Sequence, residues 1–242
     1  MTASPVIVSC QDRSAVAQRA AGDLIAHIEG VPAGTAVHIA VTGGGVGIAT
    51  LAELAKSPRL AEASPGRVHL WFSDERYVDA GSQDRNDIQA AATWGPGFVI
   101  PEANIHRVAG ADSGLSAEAA ATNYETEIGR AKAAFDVVLL GMGPDGHVAS
   151  LFPGHPGVSD KRTGVIAVHD SPKPPPDRVS FTMPLIRSSD RVWVIASGAE
   201  KAPAVKAALS PASTAEDVPA SAARGQLESR FYLDTESSSL LD

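Results

Sequence analysis

The stretch Phe135-Asp136-Val137-Val138-Leu139-Leu140-Gly141-Met142-Gly143-Pro144-Asp145-Gly146-His147-Val148-Ala149-Ser150-Leu151-Phe152-Pro153 decides how the rest of the chain is read. Its first part is an apolar run, the pattern of a strand buried on both faces of a parallel sheet. Glycines, a proline, an aspartate and a histidine then cut the run, which turns apolar again. That order predicts a strand over Phe135–Leu140, a sharp turn and entry into a helix. Ligands of open α/β sheets sit just outside the carboxyl ends of the strands, so the Asp145-Gly146-His147 turn is expected at a site. A histidine of ordinary pKa, about 6.5, is mostly neutral at pH 7 and can take a proton from water.

Outward from this stretch, strands and helices alternate. Pro5–Ser9, Val37–Val41 and Val68–Phe72 read as strands. Helical spacing of apolar residues runs over Ser14–Ile28, from Ile48 to Ala55, over Asn86–Trp94 and over Ser116–Lys132. Beyond the central stretch the pattern is less regular. Gly164–Val168, Arg178–Thr182, Arg191–Ala196 and Arg230–Leu233 are strand candidates, and Ser171–Pro176 is an extended proline-rich loop. Ala199–Leu209 is helical if Pro203 falls in the first turn, which leaves Lys201 near the helix N-terminus. Asp234 and Ser237-Ser238-Ser239 read as a frayed tail. The alternation predicts an α/β fold with an open, mainly parallel, Rossmann-like sheet covered by helices on both faces. With no linker or repeat in view, residues 1–242 are expected to form one domain.

Composition narrows the partners. The 242 residues carry a net charge of -8, which argues against a broad nucleic-acid or acidic-membrane surface. A few focused cations can still hold an anionic small molecule against a negative average. No run approaches the roughly 18 apolar residues needed to span a bilayer. The single Cys10 allows no internal disulfide and suits a reducing cytosol. Met1–Pro5 shows no basic stretch leading into an apolar core, so no signal peptide is expected and the location is read as cytoplasmic. No H-x-x-x-H or H-E-x-x-H occurs, so a metal site is not expected. A serine triad would need a G-x-S-x-G elbow, which is missing.

Three places can carry chemistry. Thr42-Gly43-Gly44-Gly45 between a strand and a helix offers bare backbone amides at a helix N-terminus, a natural phosphate cradle. The alternative is a tight turn that simply needs glycine. Ser73-Asp74-Glu75-Arg76 sets three charges after a buried strand, either as a solvated loop with local ion pairs or as a site with an arginine fork for phosphate. His147, two residues after Asp145 in a broken turn, is the sharpest candidate for a base. His38 and His69 lie within apolar strands and His27 on a helix, while His106, His155 and His169 show no carboxylate partner at a suggestive spacing.

Taken together, Thr42-Gly43-Gly44-Gly45, Asp74-Glu75-Arg76-Tyr77-Val78, the Gly141–Pro153 block and Arg178-Val179-Ser180-Phe181-Thr182-Met183-Pro184 resemble the 6-phosphogluconolactonases. These are grouped with the glucosamine-6-phosphate deaminases in one superfamily. The matches come in family order from about Val37 to Leu209. The deaminases carry an acid after the histidine segment, whereas Ser150-Leu151-Phe152-Pro153 has no carboxylate, which favours the lactonases. The chain departs from the family where Gly45-Val46-Gly47 replaces a common Ser-Thr-Pro, and where Arg85 precedes Asn86 in place of a serine. The resemblance implies hydrolysis of 6-phosphoglucono-δ-lactone without metal or organic cofactor. It implies His147 as the base with Asp145 beside it, and the substrate phosphate on Thr42 and the Gly43, Gly44 and Gly45 amides. Arg76 and Lys201 are the implied cationic partners, Arg178 is implied near the oxyanion or sugar hydroxyls, and Asp74 is implied at the sugar. The implied partner is a small sugar phosphate, bound by a monomer or small homo-oligomer. The competing readings are an amino-sugar phosphate isomerase–deaminase and a non-catalytic sugar-phosphate sensor.

Overall fold

The long apolar runs of the sequence become neighbouring strands of one sheet. A computed structural model describes residues 4–63, 65–95 and 98–241. Met1–Ala3, on which part of the leader reading rests, lie outside the described residues. In chain order the elements are β1 (Val6–Ser9), α1 (Arg13–Gly30), β2 (Val37–Val41), α2 (Gly44–Lys56), α3 (Pro58–Glu62), β3 (Val68–Phe72), β4 (Asp74–Arg76), α4 (Asn86–Ala91) and β5 (Ile105–His106). They continue as α5 (Ala117–Arg130), β6 (Phe135–Gly141), β7 (Val165–Val168), β8 (Arg178–Phe181), α6 (Met183–Ser188), β9 (Arg191–Ala196), α7 (Ala202–Leu209) and β10 (Glu228–Leu233). The main sheet has seven strands in the order β1-β10-β9-β6-β2-β3-β5, all paired in parallel. Among the described residues no helix is long and apolar enough to cross a membrane.

The unbroken apolar character of β6 follows from its two faces. Val137 and Leu139 pack with Leu24 and Leu51 on one side, while Val138 and Leu140 pack with Tyr124 and Val205 on the other. Each fully buried leucine stabilises the fold by about 1.5–3 kcal/mol. Asp12 starts α1 by accepting a hydrogen bond from Ala15 N at 2.9 Å, and Ser116 does the same for α5 from Ala119 N at 3.2 Å.

The strand order fixes where a ligand can sit. From β2 the chain passes to β3 on one side, and from β6 it returns to β9 on the other. β2 and β6 are neighbours, so the crevice beyond their carboxyl ends is the switch point of the sheet. Thr42–Gly45 leaves β2 there and Gly141–His147 leaves β6.

Three sequence expectations need correction. No helix follows the histidine turn. Gly146 (φ 81°) and Ala149 (φ 50°) are left-handed, and Val148 instead bridges to Met142 and Leu151. Left-handed residues cannot continue a right-handed helix. Asp74–Arg76 is not a solvated loop but the strand β4, which pairs antiparallel with β8 in a second sheet of order β4-β8-β7. The C-terminal segment is not frayed at Asp234, which is 4% exposed, or at Ser237, which is 0% exposed. Asp234 accepts hydrogen bonds from Ser197 Oγ (2.6 Å), Gly198 N and Ser237 N (2.8 Å), so it ties the tail to the loop after β9.

Candidate active site

The glycine turn after β2 is shaped by what crowds it. Gly44 adopts φ 74°, a conformation glycine reaches without strain. A Cβ on Gly43 would lie 1.8 Å from Asn86 Oδ1, and one on Gly47 would lie 2.8 Å from the Thr42 carbonyl oxygen. The turn thus packs α2 tightly onto β2 and leaves the first amides of a thirteen-residue helix open at the cleft. Thr42 is buried beside Gly141. Asn86, 2% exposed, donates to the Asp74 carbonyl at 2.8 Å, while its Oδ1 has no partner.

The histidine turn after β6 is held by two backbone bonds, Gly146 N to Gly143 O and Gly143 N to His147 O, each 3.0 Å. Gly143 is required because a Cβ there would sit 2.0 Å from His147 Nδ1. The ring folds back onto Asp145, with Nδ1 2.5 Å from Oδ1. An ionised carboxylate only accepts, so the proton of this bond is on Nδ1 and Nε2 is left as the acceptor. Partial burial pushes the Asp145 carboxyl up, but the hydrogen bond and charge of His147 and the Lys173 ammonium outweigh it and hold it well below the usual carboxylate range. Phe152 packs against the ring at 4.6 Å between centroids.

Lys173, which the sequence reading left unassigned, brings its Nζ to 3.2 Å from His147 Nδ1 and 3.5 Å from Asp145 Oδ1. It arrives on the proline-rich loop, so that loop is part of the site wall. Arg178 holds the loop in place. Its guanidinium, 5% exposed, donates to the carbonyls of Lys173 (2.9 Å), Pro174 (3.2 Å) and Pro175 (3.2 Å). Arg178 lines the cleft, yet most of its donors serve the loop. Burial, opposed by Asp74, lowers its pKa from the ordinary arginine value.

Between the two turns lies a cleft of about 420 Å³, lined by Thr42, Gly43–Gly45, Asp74, Arg76, His147, Arg178 and Lys201 together with Arg13, Asn86 and Lys173. The predicted residues therefore converge, with Asp145 just behind His147. Asp74 accepts from Ser150 Oγ at 2.8 Å, which fixes its carboxylate inside the second sheet. Arg76 donates from Nη1 to the Asp84 carbonyl. Lys201 caps α7 after a short 3₁₀ turn over Ala199–Lys201, and burial pushes its ammonium pKa down. Arg13 and Lys173 were missed because they meet the site across long sequence distances. The expected lack of carboxylate partners also fails for His106, 2.5 Å from Glu127, and for His169, which contacts Asp177 and Glu118.

A parallel α/β sheet with an amide cradle and a histidine–carboxylate pair facing each other at the switch point defines the class as an enzyme-like fold for phosphorylated small molecules. The family model described as glucosamine-6-phosphate isomerases/6-phosphogluconolactonase matches residues 11–231. The chain belongs to that family. It is 40% identical over 252 aligned residues to the 6-phosphogluconolactonase of Streptomyces coelicolor, covering 100% of this chain and 96% of that one. It is 41% identical over 211 residues to the 6-phosphogluconolactonase of Mycobacterium tuberculosis, with 84% of each chain covered. Among solved structures, the 6-phosphogluconolactonase from Trypanosoma cruzi superposes with a TM-score of 0.84 at 27% identity, covering 100% of this chain and 98% of that one.

Proposed function

We propose that this chain is a carboxylic ester hydrolase that converts 6-phospho-D-glucono-1,5-lactone to 6-phospho-D-gluconate, a step of the oxidative pentose phosphate pathway. The observation that carries the reading is the His147–Asp145 contact of 2.5 Å, set across one cleft from the open amides of α2. In this reading the lactone phosphate rests on Thr42 and the Gly43–Gly45 amides, with Arg76 and Lys201 as cationic partners. Binding energy from that remote group holds the lactone carbonyl beside His147. Nε2 takes a proton from water as its oxygen bonds to C1. The C1–ring oxygen bond then breaks, and the proton passes to the departing oxygen. Asp145 stays ionised, fixing the ring tautomer and stabilising the imidazolium. The Lys173 ammonium beside the dyad, with whatever donors Arg178 keeps free, suits the negative charge developing on the carbonyl oxygen.

The reading implies one domain over residues 1–242, a cytoplasmic setting, and a monomer or small homo-oligomer acting on a free sugar phosphate. Ser150, in the block where the deaminases carry an acid, spends its hydroxyl on Asp74, which supports the lactonase over the isomerase–deaminase. The test is direct. Freshly prepared lactone should be hydrolysed far faster than in buffer, and glucosamine 6-phosphate should release no ammonia. Ammonia release without lactone hydrolysis would replace this reading with the deaminase.

A further inference from the structure

We propose that Arg13, at the start of α1, is a phosphate-binding residue of the cleft and closes the glycine cradle from outside. The inference deepens the lactonase reading and rests on it for the identity of the substrate. Its basis is position. A Cβ on Gly45 would lie 2.1 Å from Arg13 Nη2 and 2.9 Å from Cζ, so the guanidinium lies directly over the second residue of α2. Arg13 lines the cleft, and no hydrogen bond or ion pair among the described residues engages its guanidinium.

That placement sets like charges against one another. Arg13 is the first residue of α1, whose N-terminus Asp12 caps, and it sits over the N-terminus of α2, whose cap is Gly43 and whose first turn has no acidic residue. The cation therefore faces the uncompensated positive end of α2. A phosphate dianion between the α2 amides and the guanidinium reverses the sign of each of these interactions. The same turn carries a second polar group without a partner, the Oδ1 of Asn86, which is 2% exposed and aimed at Gly43. An acceptor there suits a sugar hydroxyl next to the phosphate.

The other cations of the cleft reach it from different elements. Arg178 holds the proline-rich loop, Lys173 sits on the dyad, and Arg76 gives one Nη1 hydrogen to the Asp84 carbonyl and keeps other donors for the phosphate. Lys201 enters the cleft from the start of α7, so that it and Arg13 would hold the phosphate together. Arg13 is the cation in contact with the glycine turn itself.

The experiment compares kcat/KM for the phosphorylated lactone and for unphosphorylated glucono-δ-lactone in wild type, Arg13→Ala, Gly45→Ala and the double variant. Arg13→Ala should lower the preference for the phosphorylated lactone about 10-fold or more, the loss of a charge-assisted bond. Gly45→Ala should do the same, because its methyl group displaces the guanidinium, and the double variant should be no worse than Arg13→Ala. Thermal unfolding without ligand should show Arg13→Ala as stable as wild type or slightly more so. An unchanged preference in Arg13→Ala, or equal losses from Gly45→Ala in both backgrounds, overturns the inference while lactone hydrolysis stands. If wild type fails to hydrolyse the lactone, the functional reading falls. Calorimetry with inorganic phosphate then decides Arg13 alone: weaker binding by Arg13→Ala supports it, and equal binding overturns it.

Discussion

Two histidine–carboxylate contacts in this protein have the same length, and they stand in different surroundings. His147 meets Asp145 at 2.5 Å beyond the carboxyl end of β6, and His106 meets Glu127 at 2.5 Å on β5. The surroundings differ in one decisive way. Around His106 both ring nitrogens are engaged, Nδ1 by Glu127 and Nε2 by His69 Nδ1 at 3.0 Å, and the ring stacks on Trp71 at 3.6 Å. Around His147 the carboxylate engages Nδ1, and the ring lines an open cleft. A short bond to an acid therefore does not mark a base. The free second nitrogen does.

The comparison is broken most directly by removing each ring. His147→Ala should lower kcat by about 10²–10⁴-fold with a modest change in KM, the range for a positioned proton-transfer group. His106→Ala should keep near-native kinetics and instead lose about 1–3 kcal/mol of stability, through the lost stack and the stranded Glu127 and His69. Steady-state kinetics and urea unfolding on both variants decide it. A folded His106→Ala protein with collapsed kcat would sink the distinction.

The amino-terminal ends of the strands carry the next largest effect, and it is one of stability. His38 Nδ1 accepts from Trp71 Nε1 at 3.1 Å, which requires the neutral ring. Burial, aided by the neighbouring His69, lowers its pKa to about 4. The folded state thus binds this proton less readily than the unfolded chain, whose histidine titrates near the ordinary value of about 6.5. Its contribution is intact above pH 6.5 and drains away as pH falls from there to about 4, up to about 3 kcal/mol in all. His38→Gln keeps an acceptor for Trp71 and has no proton to gain. Urea unfolding at pH 7, 5 and 4 should show wild type losing more stability than the variant. Parallel losses would remove His38 as the cause.

How much of this was legible in the sequence follows the same division. β2, β3, β6 and β9 could be read because strands buried on both faces must be apolar throughout. The glycine and histidine turns could be read because each is made by neighbouring residues. Asp74–Arg76 read as a loop because nothing nearby reveals a partner strand 102 residues on, where Arg76 pairs with Arg178 in β8. The expected helix after His147 failed on Ala149, whose left-handed backbone accompanies the bridge between Val148 and Leu151. Lys173 was invisible as a site residue because its contact with His147 crosses 26 residues through a loop that Arg178 pins.

Lys173 sharpens the comparison, since His106 has no ammonium beside it among the described residues. Lys173→Met keeps most of the stem and removes the charge. It should lower kcat about 10-fold, a loss of one charge at the developing oxyanion. KM should change little, because the charge is used mainly in the transition state. A raised KM with kcat unchanged would make Lys173 a wall of the site only.

The smallest effect is expected farthest from the chemistry, at Asp234. Its carboxylate accepts from Ser197 Oγ and from Gly198 N, whose φ of 102° only glycine holds without strain. The loop hung from it carries Ser197, Glu200 and Lys201 to the cleft wall. Asp234→Asn retains one acceptor oxygen and sets an amide group against these donors, so the loop loses part of its anchor. Lys201 should then be held less firmly, and KM for the phosphorylated lactone should rise about two- to five-fold with kcat nearly preserved, as when a contact made equally in ground and transition states is weakened. An equal rise in the Arg13→Ala background would show that the loop and the glycine cradle grip the phosphate independently. Unchanged KM in a variant with lowered thermal stability would instead confine Asp234 to holding the tail.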